Sequence, residues 1–335
     1  MYFHESDVIR NTIVLGNEIG HDECTQHIAY GTDAGFLIGC AVSVASVLQS
    51  NQDKVFCFHI FTDRCESQHV SKFQQLADEF SACITIYTIS TESLTGLPSN
   101  KLWSTAIYYR FIIADILREK CRRVLYLDSD IICQGAISEL FIVPLTNNII
   151  AASTDRDKEW WRNRACALNK PALENGYFNS GVLVIDTDAW GASGLSEKAI
   201  SMLSDDSIVS SLGYYDQDVL NILACGKVLF INRCFNTQYS LNYELKDHPD
   251  CPIDESTKLV HYVGPTKPWH IWAKDYPAAQ PFVQAKAGSP WRDTPYQMPS
   301  TAMQYRYAAK HSLKAGKYLT GVSFYCSYFF CKIFK

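Results

Sequence analysis

From Gln26 to Leu127 short apolar runs alternate with longer segments at helical spacing, and this alternation constrains the fold more than any other feature of the chain. Gln26–Tyr30 reads as a first strand that ends at Gly31-Thr32-Asp33. Residues 36–50 are small and apolar at helical spacing and stop at Gln-Ser-Asn-Gln-Asp, a loop signature. Val55–Phe61 is rich in β-branched and aromatic residues and predicts a buried strand. Residues 66–80 place Val70, Phe73, Leu76, Ala77 and Phe80 at helical period, Cys83–Ile89 predicts a third strand, Thr105–Leu117 a helix and Arg123–Leu127 a fourth strand. The order predicts an α/β fold with a mostly parallel, twisted sheet flanked by helices on both faces. Ligands in such sheets bind just past the carboxyl ends of strands, and Asp33, Asp128 and Asp130 all fall at such ends. Residues 1–25 are polar and weakly patterned and read as a loose leader to a body spanning 26–276. The proline-rich stretch Pro277–Pro299 reads as a connector, so that 277–335 forms a C-terminal region.

Composition adds two constraints. With 47% hydrophobic and 19% charged residues, the chain has a full core and is not disordered. Its formal charge of −5 divides into +6 on residues 294–335, which hold Arg306, Lys310, Lys314, Lys317, Lys332 and Lys335, and −11 on the rest. Arg306, Lys310 and Lys314 recur every four residues, on one helical face, and the aromatics Phe324, Tyr325, Tyr328, Phe329, Phe330 and Phe334 follow. A basic segment with aromatics suits an anionic membrane surface; the alternative is a helix pair packed on the body. Thirteen scattered cysteines without a Cys-x-x-Cys pair argue against a zinc cluster or disulfide framework and read as small buried hydrophobes in a reducing compartment. Neither a signal peptide nor an uninterrupted apolar run of the ~18 residues a span needs is evident. The expectation is a cytoplasmic protein that meets a membrane, if at all, through its tail.

The chemistry begins at Arg-Val-Leu-Tyr-Leu-Asp-Ser-Asp-Ile-Ile. Side chains at i and i+2 of an extended chain point the same way, so Asp128 and Asp130 offer two hard oxygen ligands on one side, suited to Mg²⁺ or Mn²⁺ carrying a diphosphate. Such an ion neutralises charge on a departing nucleotide. A bare Asp-x-Asp is common; its place at the end of an apolar strand is what strengthens it. His261 follows another apolar run, in Leu-Val-His-Tyr-Val-Gly-Pro-Thr-Lys-Pro-Trp-His, and reads either as a third ligand or as a structural histidine. Gly264 lets backbone approach a phosphate and Lys267 can hold one. Asn179 sits at the mouth of a strand, as a sugar-binding amide or a turn residue. Asp216, Gln217 and Asp218 open a helix with more polarity than a cap requires. Asp155, in Thr-Asp-Arg-Asp, has no motif strength alone.

Four blocks in order, Ala-Tyr-Gly-Thr-Asp, Val-Leu-Tyr-Leu-Asp-Ser-Asp, Tyr-Phe-Asn-Ser-Gly-Val and His-Tyr-Val-Gly-Pro-Thr-Lys-Pro-Trp-His, with weaker matches at Trp103-Ser104 and Tyr109-Arg110, resemble the retaining family-8 glycosyltransferases over roughly residues 26–292. The likeness is greatest to the bacterial hexosyltransferases that build the lipopolysaccharide outer core. It implies the nucleotide-sugar transferase A-type fold with a small helical C-terminal extension, and a divalent metal, usually Mn²⁺, held by Asp128, Asp130 and His261. It implies that Asp33, beside Gly31, binds uridine, that Arg110 pairs with the donor, and that Gly264 and Lys267 contact the diphosphate. Asp155, Asn179, Asp216 and Gln217 would surround the transferred sugar and acceptor, with Gln217, Asp216 and Asp155 nearest the chemistry. One position departs: where the family often has Asn two residues after the uridine-binding aspartate, this chain has Gly35.

The implied reaction moves galactose or glucose from a UDP-sugar onto a hexose of a lipid-linked core oligosaccharide. The α configuration is kept, and the linkage is α-1,3 by overall resemblance, with α-1,2 the alternative. The implied place is the inner face of the bacterial inner membrane, with no nucleic acid partner. Because Gln217 is the best-matched residue near the anomeric carbon and an amide is a poor nucleophile, same-face attack is favoured over two inversions. A nucleotidyltransferase would want a basic loop after the first strand, and Gly31-Thr32-Asp33-Ala34-Gly35 has no Lys or Arg. A non-catalytic sugar-binding scaffold would be expected to lack a metal ligand, and all three are present.

Overall fold

The computed structural model describes residues 2–16, 25–99 and 104–333. Among these residues the main sheet has eight strands, in the order β1-β4-β3-β2-β5-β8-β7-β9. These are β1 (Ile9–Leu15), β2 (Gln26–Thr32), β3 (Phe56–Thr62), β4 (Cys83–Ile89), β5 (Arg123–Asp128), β7 (Ile150–Ser153), β8 (Val182–Asp186) and β9 (Val228–Ile231). The run β4-β3-β2-β5 is parallel, as the alternation predicts. Beyond it β8 runs antiparallel to both β5 and β7, and β9 is parallel to β7. A second sheet joins β10 (Thr237–Gln238), β11 (Leu259–His261) and β6 (Ile131–Cys133).

The inner strands of the main sheet are covered on both faces, which is why they read as nearly continuous apolar runs. Ile28, Tyr30, Leu125 and Leu127 join one buried cluster, with the helices Leu37–Ser50, Ser67–Phe80 and Gln280–Ala287. Ala29, Val124 and Tyr126 join the other, with the helices Tyr109–Leu117, Leu195–Leu203 and Tyr215–Leu223.

Two expectations are corrected. Residues 2–16 of the leader are not loose: β1 pairs antiparallel with β4 and closes one edge of the sheet, and Asp115 accepts the backbone N–H groups of Tyr2 and Phe3 at 3.0 Å each. Only Leu15 of β1 is buried, so the strand has little apolar pattern to read; its stability comes from backbone pairing along an otherwise open edge. Nor is the proline-rich stretch a free connector. Pro277 and Pro281 sit in the first turns of short helices, where a missing N–H is tolerated. Phe282 and Trp291 are completely buried in the first cluster.

The chain ends in two helices. Thr301 and Gln304 form a reciprocal capping box that starts Ala302–Lys314. Lys314 and Lys317 pair with Asp247 and Asp275 of the body. Along Tyr318–Ile333 only Gly321 is buried, while Tyr318, Leu319, Val322, Phe329, Phe330 and Ile333 are exposed. No helix among the described residues is long and apolar enough to cross a membrane. The cysteines divide rather than all being buried: Cys40, Cys57, Cys83 and Cys133 are interior, Cys166, Cys251 and Cys326 exposed, and those described are free thiols.

Candidate active site

Asp128 ends β5, and Gly31 of the adjacent parallel strand β2 lies in register with it. Asp33 therefore stands beside the Asp128 strand end although 95 residues separate the two in sequence. Asp130 is not on an extended strand. A turn carries Ser129 and Asp130 from the main sheet into β6, and β6 pairs antiparallel with β11, setting Ile131 opposite His261. The three residues converge because a turn joins two sheets, not because of i, i+2 alternation.

Each side chain is aimed by a partner on its far side. Asp128 Oδ1 accepts from Arg110 Nη2 at 2.9 Å and from the Tyr126 hydroxyl at 2.7 Å. Asp130 Oδ2 accepts from Lys267 Nζ at 2.5 Å. His261 Nδ1 meets Asn236 Oδ1 at 2.9 Å, an acceptor, so Nδ1 carries a proton, and in the neutral ring Nε2 then keeps a lone pair. What remains is Asp128 Oδ2, Asp130 Oδ1 and His261 Nε2. Nε2 lies 3.9 Å from the first and 3.2 Å from the second, and the whole set lies within 4.8 Å. Asp130 Oδ1 is buried without a hydrogen-bond partner among the described residues. Three lone pairs facing one another repel unless a cation sits between them, and two carboxylate oxygens with one imidazole nitrogen suit a divalent ion. Burial pushes the Asp130 carboxyl up, the Lys267 ammonium foremost pulls it the other way, and the group lies below the usual carboxylate range. Gly181 makes room for the cluster: a Cβ there would lie 2.4 Å from His261 Cε1 and 2.9 Å from Asp128 Oδ2.

Arg110 joins this cluster to the next. It is buried, and besides Asp128 it donates from Nη1 to the Ser180 carbonyl at 2.6 Å, lies 3.1 Å from Asp216 Oδ2, and donates from Nε to the Ile107 carbonyl. Most of its donors thus hold the protein's own groups, so its main visible role is to fix two carboxylates. Burial raises the Asp216 carboxyl to about 6 despite that guanidinium. The Gln217 carbonyl accepts from Ser180 N at 3.0 Å and Asn179 Nδ2 at 3.1 Å, and its amide donates to Asp155 Oδ2 at 3.0 Å. Asp218 turns away. It is fully buried and accepts from Arg164, Tyr177 and the Gly213 and Tyr214 backbone, pinning the loop before the helix.

At the other end, Asp33 Oδ1 accepts from Gly35 N and Phe36 N, and Oδ2 from Ser104 at 2.6 Å. Gly31 faces a packing constraint, since a Cβ there would lie 2.9 Å from Tyr109 Cβ. Gly264 has φ +87°, a left-handed conformation that favours glycine. Trp103 of the weaker block lies outside the described residues.

One cleft of about 1410 Å³ is lined by Gly31, Asp33, Arg110, Asp128, Asp130, Asp155, Asn179, Asp216, Gln217, His261, Gly264 and Lys267. Residues without a sequence pattern join them: Asn236, Tyr214, and Ser300, Thr301 and Gln304 from the start of the C-terminal helix pair. Alternation of strands and helices could not foretell the last group, because it enters the cleft from beyond the body.

Residues 27–273 match the pattern of glycosyl transferase family 8. The chain belongs to that family. Residues 276–332 match the C-terminal segment of family 8. The chain is 45% identical over 334 residues to a lipopolysaccharide 1,3-galactosyltransferase of Salmonella typhimurium, covering 99% of both chains. It is 43% identical to the lipopolysaccharide glucosyltransferase WaaO of Escherichia coli, covering 99% of this chain and 98% of that one. A lipopolysaccharide 1,2-glucosyltransferase of Escherichia coli is 38% identical over 91% of this chain and 90% of its own. The crystal structure of galactosyltransferase LgtC in complex with donor and acceptor sugar analogs superposes with a TM-score of 0.66 at 22% identity, over 80% of this chain and 99% of that one. This family-8 chain therefore has the A-type nucleotide-sugar transferase fold and is a sugar-transferring enzyme.

Proposed function

We propose that the chain transfers galactose or glucose from a UDP-sugar onto a hexose of the lipopolysaccharide outer core, keeping the α configuration and forming an α-1,3 linkage. The observation that carries this reading is the convergence of three groups able to hold a metal, on Asp128, Asp130 and His261, inside the cleft. Identity to two lipopolysaccharide hexosyltransferases over nearly the whole chain supports the acceptor class.

In this reading Asp128, Asp130 and His261 hold a divalent ion, Mn²⁺ or Mg²⁺. When bound, the ion supplies positive charge against the diphosphate of the donor. Asp33 takes the uridine end, with Gly31 and the Gly35 backbone beside it. Gly264 and Lys267 take the diphosphate. Lys267 Nζ bonds Asp130 and the Tyr262 carbonyl, and its third N–H is left to point at a phosphate oxygen. Asn179, Asp155, Asp216 and Gln217 surround the sugar. Both Gln217 carboxamide ends are occupied by protein partners, and its oxygen accepts two N–H bonds. That carbonyl is a weak nucleophile, which favours attack by the acceptor on the face from which the nucleotide leaves. The departing diphosphate oxygen takes the acceptor's proton, and the new glycosidic bond forms as the old one breaks.

The acceptor is lipid-linked, and the apolar exposed face of Tyr318–Ile333 supports peripheral contact with an anionic membrane from the cytoplasmic side. The test of the whole reading is a panel of UDP-galactose and UDP-glucose against truncated core acceptors, with linkage analysis of the product. An α-1,3-linked hexose is the expected product. An α-1,2 linkage would correct the linkage alone; a β-linked product would overturn retention, and no transfer from either donor would overturn the substrate class.

A further inference from the structure

His261 can serve the converging carboxylates only if its Nε2 is bare, and nothing in the imidazole itself decides which nitrogen carries the proton. The decision is made elsewhere, through a chain of carboxamides whose orientations are each forced. It starts at two backbone donors, which cannot be reversed. Gly181 N–H donates to Asn179 at 3.0 Å, so the atom it meets is the carbonyl oxygen Oδ1. Ser180 N–H donates to Gln217 at 3.0 Å, which fixes Oε1 in the same way. Asn179 Nδ2 then faces Gln217 Oε1 at 3.1 Å, and Gln217 Nε2 faces the Asp155 carboxylate, so both amides agree from either end. Asn236 comes next. One end of its carboxamide lies 2.9 Å from Asn179 Oδ1, already an acceptor, so that end is the NH₂. The other end is therefore the carbonyl, 2.9 Å from His261 Nδ1. Turning Asn236 over would set oxygen against oxygen at 2.9 Å from Asn179 Oδ1, at a side chain that is only 2% exposed.

We propose that Asn236 is the positioning residue that fixes His261 as its Nδ1–H tautomer and aims Nε2 at Asp128 and Asp130. Its own direction is set by Asn179 in the sugar-binding cluster. Neither end of this chain is readable from Asn236 itself, which sits in Cys-Phe-Asn-Thr-Gln between a short 3₁₀ turn and β10. The inference rests on the metal reading above, but the tautomer can be observed without any metal.

The test has two arms on the full-length chain. In the first, ¹⁵N-histidine-labelled enzyme treated with EDTA is observed by long-range ¹H–¹⁵N NMR, with His261→Gln to assign the resonance. A protonated Nδ1 and bare Nε2 are expected; a protonated Nε2 would overturn the proposal. In the second arm Mn²⁺ binding is titrated by electron paramagnetic resonance. Asn236→Leu, which offers Nδ1–H no acceptor, should weaken binding about 10–100-fold. Asn236→Asp keeps an acceptor at that place and should bind Mn²⁺ more tightly than Asn236→Leu, although its second oxygen now faces Asn179 Oδ1. Leu and Asp variants that bind Mn²⁺ equally well would contradict the assignment. If the Leu variant does not fold, the first arm and the Asp variant decide. A parent chain with the expected tautomer but no Mn²⁺ binding would instead remove the metal reading.

Discussion

The floor of the cleft and the last helix are built on opposite principles. In the floor, Arg110, Asp128, Asp216, Asn179, Gln217, Asn236 and His261 are bonded to one another in fixed directions, and all but Asp128 are buried. Moving one group leaves another unpaired, and an unpaired buried polar group costs about 1–3 kcal/mol. In Tyr318–Ile333 the outward side chains are apolar and exposed, with Leu319 at 90% and Ile333 at 72%. Their contribution to any surface they meet is proportional to area and nearly independent of direction. Changes in the floor should therefore act abruptly and specifically. Changes in the helix should act by degrees and leave chemistry untouched.

The largest effect is expected from Asp130→Asn. It alters one of the three converging groups while leaving a similar volume beside Lys267, so on the metal reading transfer should fall on the order of a thousandfold. Circular dichroism and thermal melting should show a folded protein. Transfer surviving in EDTA-treated variant would remove Asp130 from the metal site. Gly181→Ala should come next. Its new Cβ would press on His261 and Asp128, and Mn²⁺ affinity measured by calorimetry should drop about tenfold or more. Parent-like affinity would mean that the cluster can shift, against the rigid picture of the floor.

A smaller, graded loss is expected from Leu319→Ser, Phe330→Ser and the pair together. Partitioning onto vesicles containing anionic lipid should fall stepwise, by a few fold per residue, since a buried apolar side chain contributes about 1.5–3 kcal/mol and these lie only partly in an interface. UDP-sugar hydrolysis in solution should be unchanged. Equal partitioning by parent and double variant would return the helix to a purely structural role.

The smallest effect concerns pH. Burial raises the Asp216 carboxyl to about 6, above the ~3.9 of an unfolded chain. Between those values the native state holds a proton that the unfolded state has lost, so stability from this group is full below the unfolded pKa and is lost as pH rises through about 6. Asp216→Asn removes that slope along with the Arg110 ion pair. The stability of the parent relative to the variant, from urea midpoints, should therefore decline between pH 4.5 and 7. A difference that stays constant with pH would show that Asp216 does not titrate there.

Strand and helix positions in the parallel half were legible because both faces of each strand are buried and the helices carry clear periodicity. Cys83–Ile89 has the bounds expected of it, the neighbouring strands and the helices of 36–50 and 66–80 differ by a residue or two at their ends, and the helix expected over Thr105–Leu117 opens with a 3₁₀ turn and is α-helical from Tyr109. β1 was not legible, since edge pairing uses backbone groups that every residue carries. The proline-rich stretch misled because proline at a helix start and proline in a linker look alike without knowledge of where Phe282 and Trp291 pack. In the cleft, the groups at strand ends were readable. The turn that brings Asp130 to His261, the separate duty of Asp218, and Asn236 were not, because each depends on pairing between segments far apart in sequence.

The claim on which the rest depends is that Asp128, Asp130 and His261 hold one divalent ion that the donor needs. Calorimetric titration of Mn²⁺ into EDTA-treated, full-length enzyme, with and without UDP, tests it most directly. One ion per chain is predicted, bound more tightly when UDP is present, with binding lost in Asp130→Asn and His261→Ala. Parent-like binding in both variants, or no binding in the parent, would contradict the account.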